Sequence, residues 1–192
     1  MKLIKNILVG LVAVVIVVIV MDGAYLWQNL RFQISPQTVV IPLPPVQAKM
    51  EPNRLLIPSL GISAPVQYVD QNSEKVFQEA LINGVVHFPG TAKPGEFGNA
   101  YIFGHSSDYV FSKGNYKTVF ALLPRIEINA NIVISNPEGY QFIYKVINKV
   151  IVQPNETQYL DQYGYKKHLL TLQTSYPVGT ALKRYIVIAE LQ

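Results

Sequence analysis

From residue 54 onward the chain is dominated by short runs in which apolar and polar positions alternate. Arg54-Leu55-Leu56-Ile57-Pro58 and Leu60-Gly61-Ile62-Ser63-Ala64-Pro65-Val66 read as two strands punctuated by Pro and Gly, with the prolines at edges or strand ends. Residues 84–91 and the turn-dense residues 93–99 lead into a strand, Ala100-Tyr101-Ile102-Phe103-Gly104-His105. The same alternation returns in Asn131-Ile132-Val133-Ile134-Ser135, in residues 140–148 and in residues 149–152, and Asn136-Pro137-Glu138-Gly139 forms a hairpin turn between the first two. Two apolar strands close the chain. Residues 169–175 run into Tyr176-Pro177-Val178-Gly179, and residues 183–191 follow. Only residues 73–81 show helical spacing, with Val76, Phe77 and Ala80 as a stripe and Ser73 at the cap. Many short strands and little helix predict an all-β barrel or sandwich with one or two short helices.

The amino-terminal pattern is different. Lys2 and Lys5 precede an uncharged run of Val, Ile and Leu over residues 7–21, followed by Asp22, Tyr25 and Trp27. Extended to its apolar flanks, the run reaches the roughly 20 residues needed to cross a hydrocarbon core, and the two aromatics fall where an interfacial belt sits. Val20-Met21-Asp22-Gly23-Ala24 lacks the small-x-small pattern of a cleaved signal, so an uncleaved transmembrane helix is expected. The basic end is then cytoplasmic and the rest extracellular. Residues 28–52 carry Pro36, Pro42, Pro44, Pro45 and Pro52, which predicts an extended spacer. The expected organisation is 1–27 as cytoplasmic tip and anchor, 28–52 as spacer and 53–192 as one folded domain.

Composition narrows the function classes. With 192 residues, 49% of them hydrophobic, the chain carries enough apolar surface for one domain with a core plus an anchor. A net charge of +4, with basic residues scattered and not interleaved with aromatics, gives no nucleic-acid footprint. The absence of cysteine excludes disulfides and thiolate metal sites. The three histidines have no neighbouring carboxylates at ligand spacing, so neither a metal nor another cofactor is expected.

The candidate chemistry sits at strand ends. Residues 169–175 end on Ser175 before a forced turn, another strand ends on His105, and Arg184 opens the last. Alternation puts Arg184 on the face of Ile186 and Ile188, where a charge either snorkels to water or serves chemistry. The words Gly104-His105, Thr171-Leu172-Gln173-Thr174-Ser175 and Arg184 resemble the marks of the sortases, membrane-anchored cell-surface transpeptidases, and the likeness spans residues 53–191. The resemblance implies a closed eight-stranded barrel. It implies that a surface protein's sorting peptide, of leucine-proline-x-threonine-glycine type, is cleaved and its acyl group passed to an amine of the cell envelope. It also implies roles: His105 as acid and base, Arg184 as electrostatic partner, and position 175 as nucleophile. Thr174 and Ile186 are expected as groove residues, with His87 lining the same pocket.

One mark differs, because the family's nucleophile is cysteine and this chain has Ser175. Three readings stay open: an engineered serine, a natural serine that still reacts, and a natural variant that only binds peptide. A hydroxyl ionises far less readily than a thiol, and no carboxylate is visibly placed to orient His105, so weak or absent turnover is expected.

Overall fold

Eight strands pair edge to edge until the last meets the first, in the order β1-β2-β3-β4-β7-β8-β6-β5. The computed structural model describes residues 7, 11, 23–34, 49–108, 112–162 and 166–192. The strands are β1 (Arg54–Ile57), β2 (Ile62–Tyr68), β3 (Val85–His87), β4 (Gly98–Phe103), β5 (Asn131–Ser135), β6 (Gln141–Val152), β7 (His168–Tyr176) and β8 (Lys183–Leu191). β2 with β3 and β4 with β7 are parallel pairs; the other contacts, including the closing pair β1 with β5, are antiparallel. Closure leaves no free edge.

Period-two alternation builds the interior. Leu55 and Ile57 of β1, Ala64 and Val66 of β2, and Leu170 and Leu172 of β7 point inward and are almost wholly buried. Tyr144 of β6 joins them, and its hydroxyl accepts the Gly95 N–H at 2.8 Å, which satisfies the one polar atom of a fully buried ring. Burying each large aliphatic side chain contributes about 1.5–3 kcal/mol. Pro65 stands where the β1 ladder ends, opposite Arg54, and before the β3 ladder begins at Val66, so its missing N–H breaks neither.

Two sequence expectations are redrawn by the fold. Residues 140–148 and 149–152 form the single strand β6, bent by a bulge between Val146 and Asn148 that turns Ile147 outward. Residues 23–34 form a helix, α1, so residues 28–34 are not the extended spacer that the prolines suggested; residues 35–48 lie outside the described residues. The apolar run 7–21 lies outside them too, except Ile7 and Leu11, and among the described residues no helix is long and apolar enough to cross a membrane.

α2 (Glu74–Leu81) lies over the outer face of β3 and β4 and buries Phe77 and Leu81 beside Val86. Ser73 occupies its N-cap position, yet the hydroxyl makes no cap bond; the helix starts instead with the Phe77 N–H on the Ser73 carbonyl at 3.0 Å. The long β6–β7 connection is tied to β4 by the Asn99 amide, which donates to the Tyr159 carbonyl at 2.6 Å, and by Gln162. Gln162 accepts the N–H groups of Ala92 (3.2 Å) and Asn99 (2.9 Å) and donates to the Asn99 carbonyl (3.0 Å). Replacing it, as Gln162→Leu, leaves these backbone groups without their partner. We expect a loss of about 2 kcal/mol in urea unfolding, with faster amide exchange at Asn99 while the core of β7 stays protected.

Candidate functional site

The pairing of β4 with β7 sets the site. The two run parallel with Phe103 opposite Gln173, so both chains reach the same rim of the barrel together. The ladder continues one step past β4: the Gly104 N–H donates to the Gln173 carbonyl at 3.1 Å, and the Thr174 hydroxyl donates to the Gly104 carbonyl at 2.9 Å. Gly104 is required by closeness, because a Cβ there would stand 2.9 Å from both the Phe120 ring and Val85 Cγ1. His105 therefore leaves the strand at one defined point. Its carbonyl accepts the Phe120 N–H at 2.9 Å, which ties it to the loop between β4 and β5.

β8 is antiparallel to β7 and begins at this rim, where Ser175 is the direct cross-strand partner of Arg184. The Arg184 guanidinium donates to the carbonyls of Ala181 (3.0 Å) and Lys183 (3.1 Å), bonds that use part of its five-donor fork and orient the rest. The β7–β8 turn is latched to the loop after His105 by the Gly179 N–H donating to the Ser107 hydroxyl at 3.0 Å. His105, Ser175 and Arg184 all line one groove of about 540 Å³.

The groove lining is of two chemical kinds. Phe77, Phe88, Tyr101 and Phe103 meet edge-on or tilted, at centroid distances of 5.0–6.3 Å. The same lining carries His105, Asp108, Ser175 and Arg184. Burial holds the His105 imidazole below the usual histidine value, and the negative charge of Asp108 partly offsets that. Asp108 is itself an acceptor for the Ser112 hydroxyl at 2.9 Å. Burial pushes the Tyr101 phenol up, and the positive charge of Arg184 opposes that rise. The Tyr101 hydroxyl donates to Gln173 Oε1.

The other candidate residues take different places. Thr174 borders the groove but is buried, with its hydroxyl committed to Gly104. Ile186 lies opposite Gln173 on the outer face, is 1% exposed and does not line the groove. His87 is elsewhere. It pairs with Ile102, whose side chain faces the interior, whereas the groove is on the opposite face with Val86 and Phe103. Its Nε2 lies 2.8 Å from the Ala92 carbonyl, its ring is 5.0 Å from that of Tyr68, and it lines a separate groove. Asp108 and the aromatic cluster were absent from the sequence-based set; the only sequence signal for Asp108 is its place three residues after His105. Among the described residues, no three His, Asp or Glu side chains converge as a metal site.

The family model described as a sortase domain matches residues 55–192. Among solved structures, sortase C-1 from Actinomyces oris is 26% identical, with a TM-score of 0.60 and 72% of each chain covered. Sortase D5 from Clostridium perfringens, described as a transpeptidase, is 25% identical, with a TM-score of 0.58 over 72% of this chain and 77% of that one. A sortase E variant from Streptomyces avermitilis is 25% identical, with a TM-score of 0.57 over 74% of this chain and 88% of that one. No curated protein matches the sequence. The domain match covers well over half of the chain and the barrel agrees with it: the chain belongs to the sortase family.

Proposed function

We propose that this protein is a sortase-type transpeptidase whose groove takes an extended sorting peptide of leucine-proline-x-threonine-glycine type, with Ser175 as its nucleophile. The observation that carries the reading is the shared rim: parallel β4 and β7 and antiparallel β8 bring His105, Ser175 and Arg184 to one groove. The aromatic cluster offers an apolar seat for the leucine and proline side chains, and the polar residues of the same groove receive the scissile carbonyl.

In this mechanism the Ser175 hydroxyl oxygen attacks the peptide carbonyl carbon while the neutral His105 imidazole takes the hydroxyl proton. Arg184 donates hydrogen bonds to the oxygen as it gains negative charge. Collapse breaks the carbon–nitrogen bond, the proton on His105 passes to the leaving amine, and an ester joins the peptide to Ser175. An amine of the cell envelope then attacks the ester, His105 accepts its proton, and the serine oxygen recovers a proton as the new amide forms. The low basicity of a buried imidazole has two opposing effects: it keeps His105 neutral near pH 7, ready to accept a proton, and weakens its pull on a hydroxyl. Asp108 raises that basicity, and so supplies the nearby carboxylate that the sequence did not reveal. In the family's general setting the protein is anchored at the cell surface, where exported proteins and envelope amines meet. A peptide-binding module without turnover is the competing outcome, and Ser175 is the feature that favours it.

Ser175→Cys distinguishes the two. The ionisable sulfur needs less help from a base, so acyl transfer from a sorting peptide to an added amine should rise at least about tenfold. Adding His105→Ala should remove the gain, by about 100-fold or more. Mass spectrometry of the acyl-enzyme reads both. A folded, peptide-binding Ser175→Cys protein that forms no thioester would leave the binding-module reading in place.

Arg184→Lys keeps the charge but not the planar fork. In the Ser175→Cys background it should cut kcat by about 100-fold with little change in melting temperature. Undiminished turnover would take Arg184 out of the mechanism.

The His105 reading is testable by titrating its imidazole resonances by NMR. The midpoint should fall below the unperturbed value of about 6.5, and Asp108→Asn should lower it further because a stabilising negative charge is removed. The sign for stability follows: below that value the unfolded chain binds the proton more readily than the folded one. Stability therefore falls as pH drops through the unfolded value and levels off below the folded one.

A further inference from the structure

Helix α1 is amphipathic in the reverse sense for a helix packed on a water-surrounded domain. Its half-buried positions Tyr25, Gln28, Asn29 and Phe32, spaced i, i+3, i+4, i+7, face the barrel. Gln28 donates to the Thr118 hydroxyl at 2.9 Å, Arg125 donates to Asn29 Oδ1, and the Arg125 guanidinium lies 5.1 Å from the Phe32 ring centroid. The outward positions are apolar: Leu26, Trp27, Leu30 and Ile34 are 42%, 64%, 47% and 72% exposed. At about 3.6 residues per turn these four fall within an arc of about 100°, on the side opposite the barrel-facing four.

What covers that stripe is indicated by what precedes it. The uncharged run of residues 7–21 ends within a turn of the helix, Trp27 has the residue type favoured at a membrane–water boundary, and exposed Arg31 flanks the stripe, where its charge reaches headgroups. We propose that α1 lies in the headgroup layer of the bilayer, with Leu26, Trp27, Leu30 and Ile34 immersed and its opposite face gripping the barrel. The gripped segment includes Thr118 and Arg125 and contains Phe120, whose N–H holds the His105 carbonyl. The barrel is thereby held at the membrane surface in one orientation, with the loop behind His105 braced by the helix. This inference rests on residues 7–21 being a membrane segment and is independent of the transpeptidase mechanism.

The test uses the full chain in vesicles of phosphatidylethanolamine and phosphatidylglycerol. Trp27 is the only tryptophan and there is no cysteine, so its fluorescence and single spin labels at Leu30→Cys and Ile34→Cys report without interference. A label at Glu138→Cys, exposed on the β5–β6 turn, is the aqueous control. Lipids brominated near the headgroup should quench Trp27 of the unmodified chain more than lipids brominated at mid-chain. The labels at 30 and 34 should share Trp27's shallow depth and be shielded from a water-soluble relaxation agent that reaches the control. An upright helix would instead place position 34 about 10 Å further into water than Trp27, and that result overturns the proposal. Shielding that disappears on dilution in lipid, with a disulfide forming between two copies of Ile34→Cys, assigns the stripe to a second copy and overturns it too. A chain released from vesicles by alkaline carbonate removes the anchor itself, whereas an anchored chain with position 34 in water removes only the interfacial helix.

Discussion

The parallel contact between β4 and β7 is the constraint on which the rest depends. Two parallel strands end at the same rim of a barrel, and a third that is antiparallel to one of them begins there. This places the chain just past β4, the end of β7 and the start of β8 together, although His105 and Ser175 are far apart in sequence. The contact is kept in register by buried side chains on its inner face and by the two hydrogen bonds that carry the ladder through Gly104. A larger residue at that position would meet Phe120 and Val85, so the glycine before the histidine is a packing requirement at the point where the chain leaves the sheet.

Around that rim, geometry and electrostatics act together. Partial burial disfavours charge on His105, Asp108 restores some of it, and Arg184 supplies positive potential beside Tyr101. The loops that carry these groups are bonded to each other through Ser107 and Gly179, and to the β4–β5 loop through Phe120. An arrangement that holds its hydrogen-bond donors before substrate arrives needs little reorganisation when negative charge develops. Under the proposed mechanism a hydroxyl nucleophile depends on its base more heavily than a thiol would, which gives the charge of Asp108 beside His105 a consequence for the reaction.

The amino-terminal helix extends the same network outward. Its polar and aromatic face engages Thr118 and Arg125, at the two ends of the segment that backs His105, while its apolar face is turned away from the barrel. A domain on an extended spacer samples many orientations. A helix that grips the barrel at defined side chains restricts them.

Much of the barrel was legible because alternation in burial leaves a direct trace in sequence at β1 and β2, while β5, β7 and β8, buried on both faces at their middle residues, were long enough to show as apolar runs. Glycine and histidine at one strand end, Ser175 at another and Arg184 at a third were legible as well, since local words record strand ends. β3 was hidden, because all three of its residues are buried and a strand covered on both sides shows no alternation. His87 was misplaced for the same reason; only pairing with Ile102 reveals that its side chain takes the inner face. The helical state of residues 28–34 was obscured by the prolines that follow them and by a polar face turned toward protein instead of water. Asp108 and the aromatic seat of Phe77, Phe88 and Phe103 were beyond the sequence, because their neighbours come from distant segments brought together by strand order. Sequence by itself determined which residues favour strands, which end them and which carry reactive groups. Tertiary structure alone decided which ends meet, because burial and pairing act between segments whose separation along the chain carries no information about their distance in space.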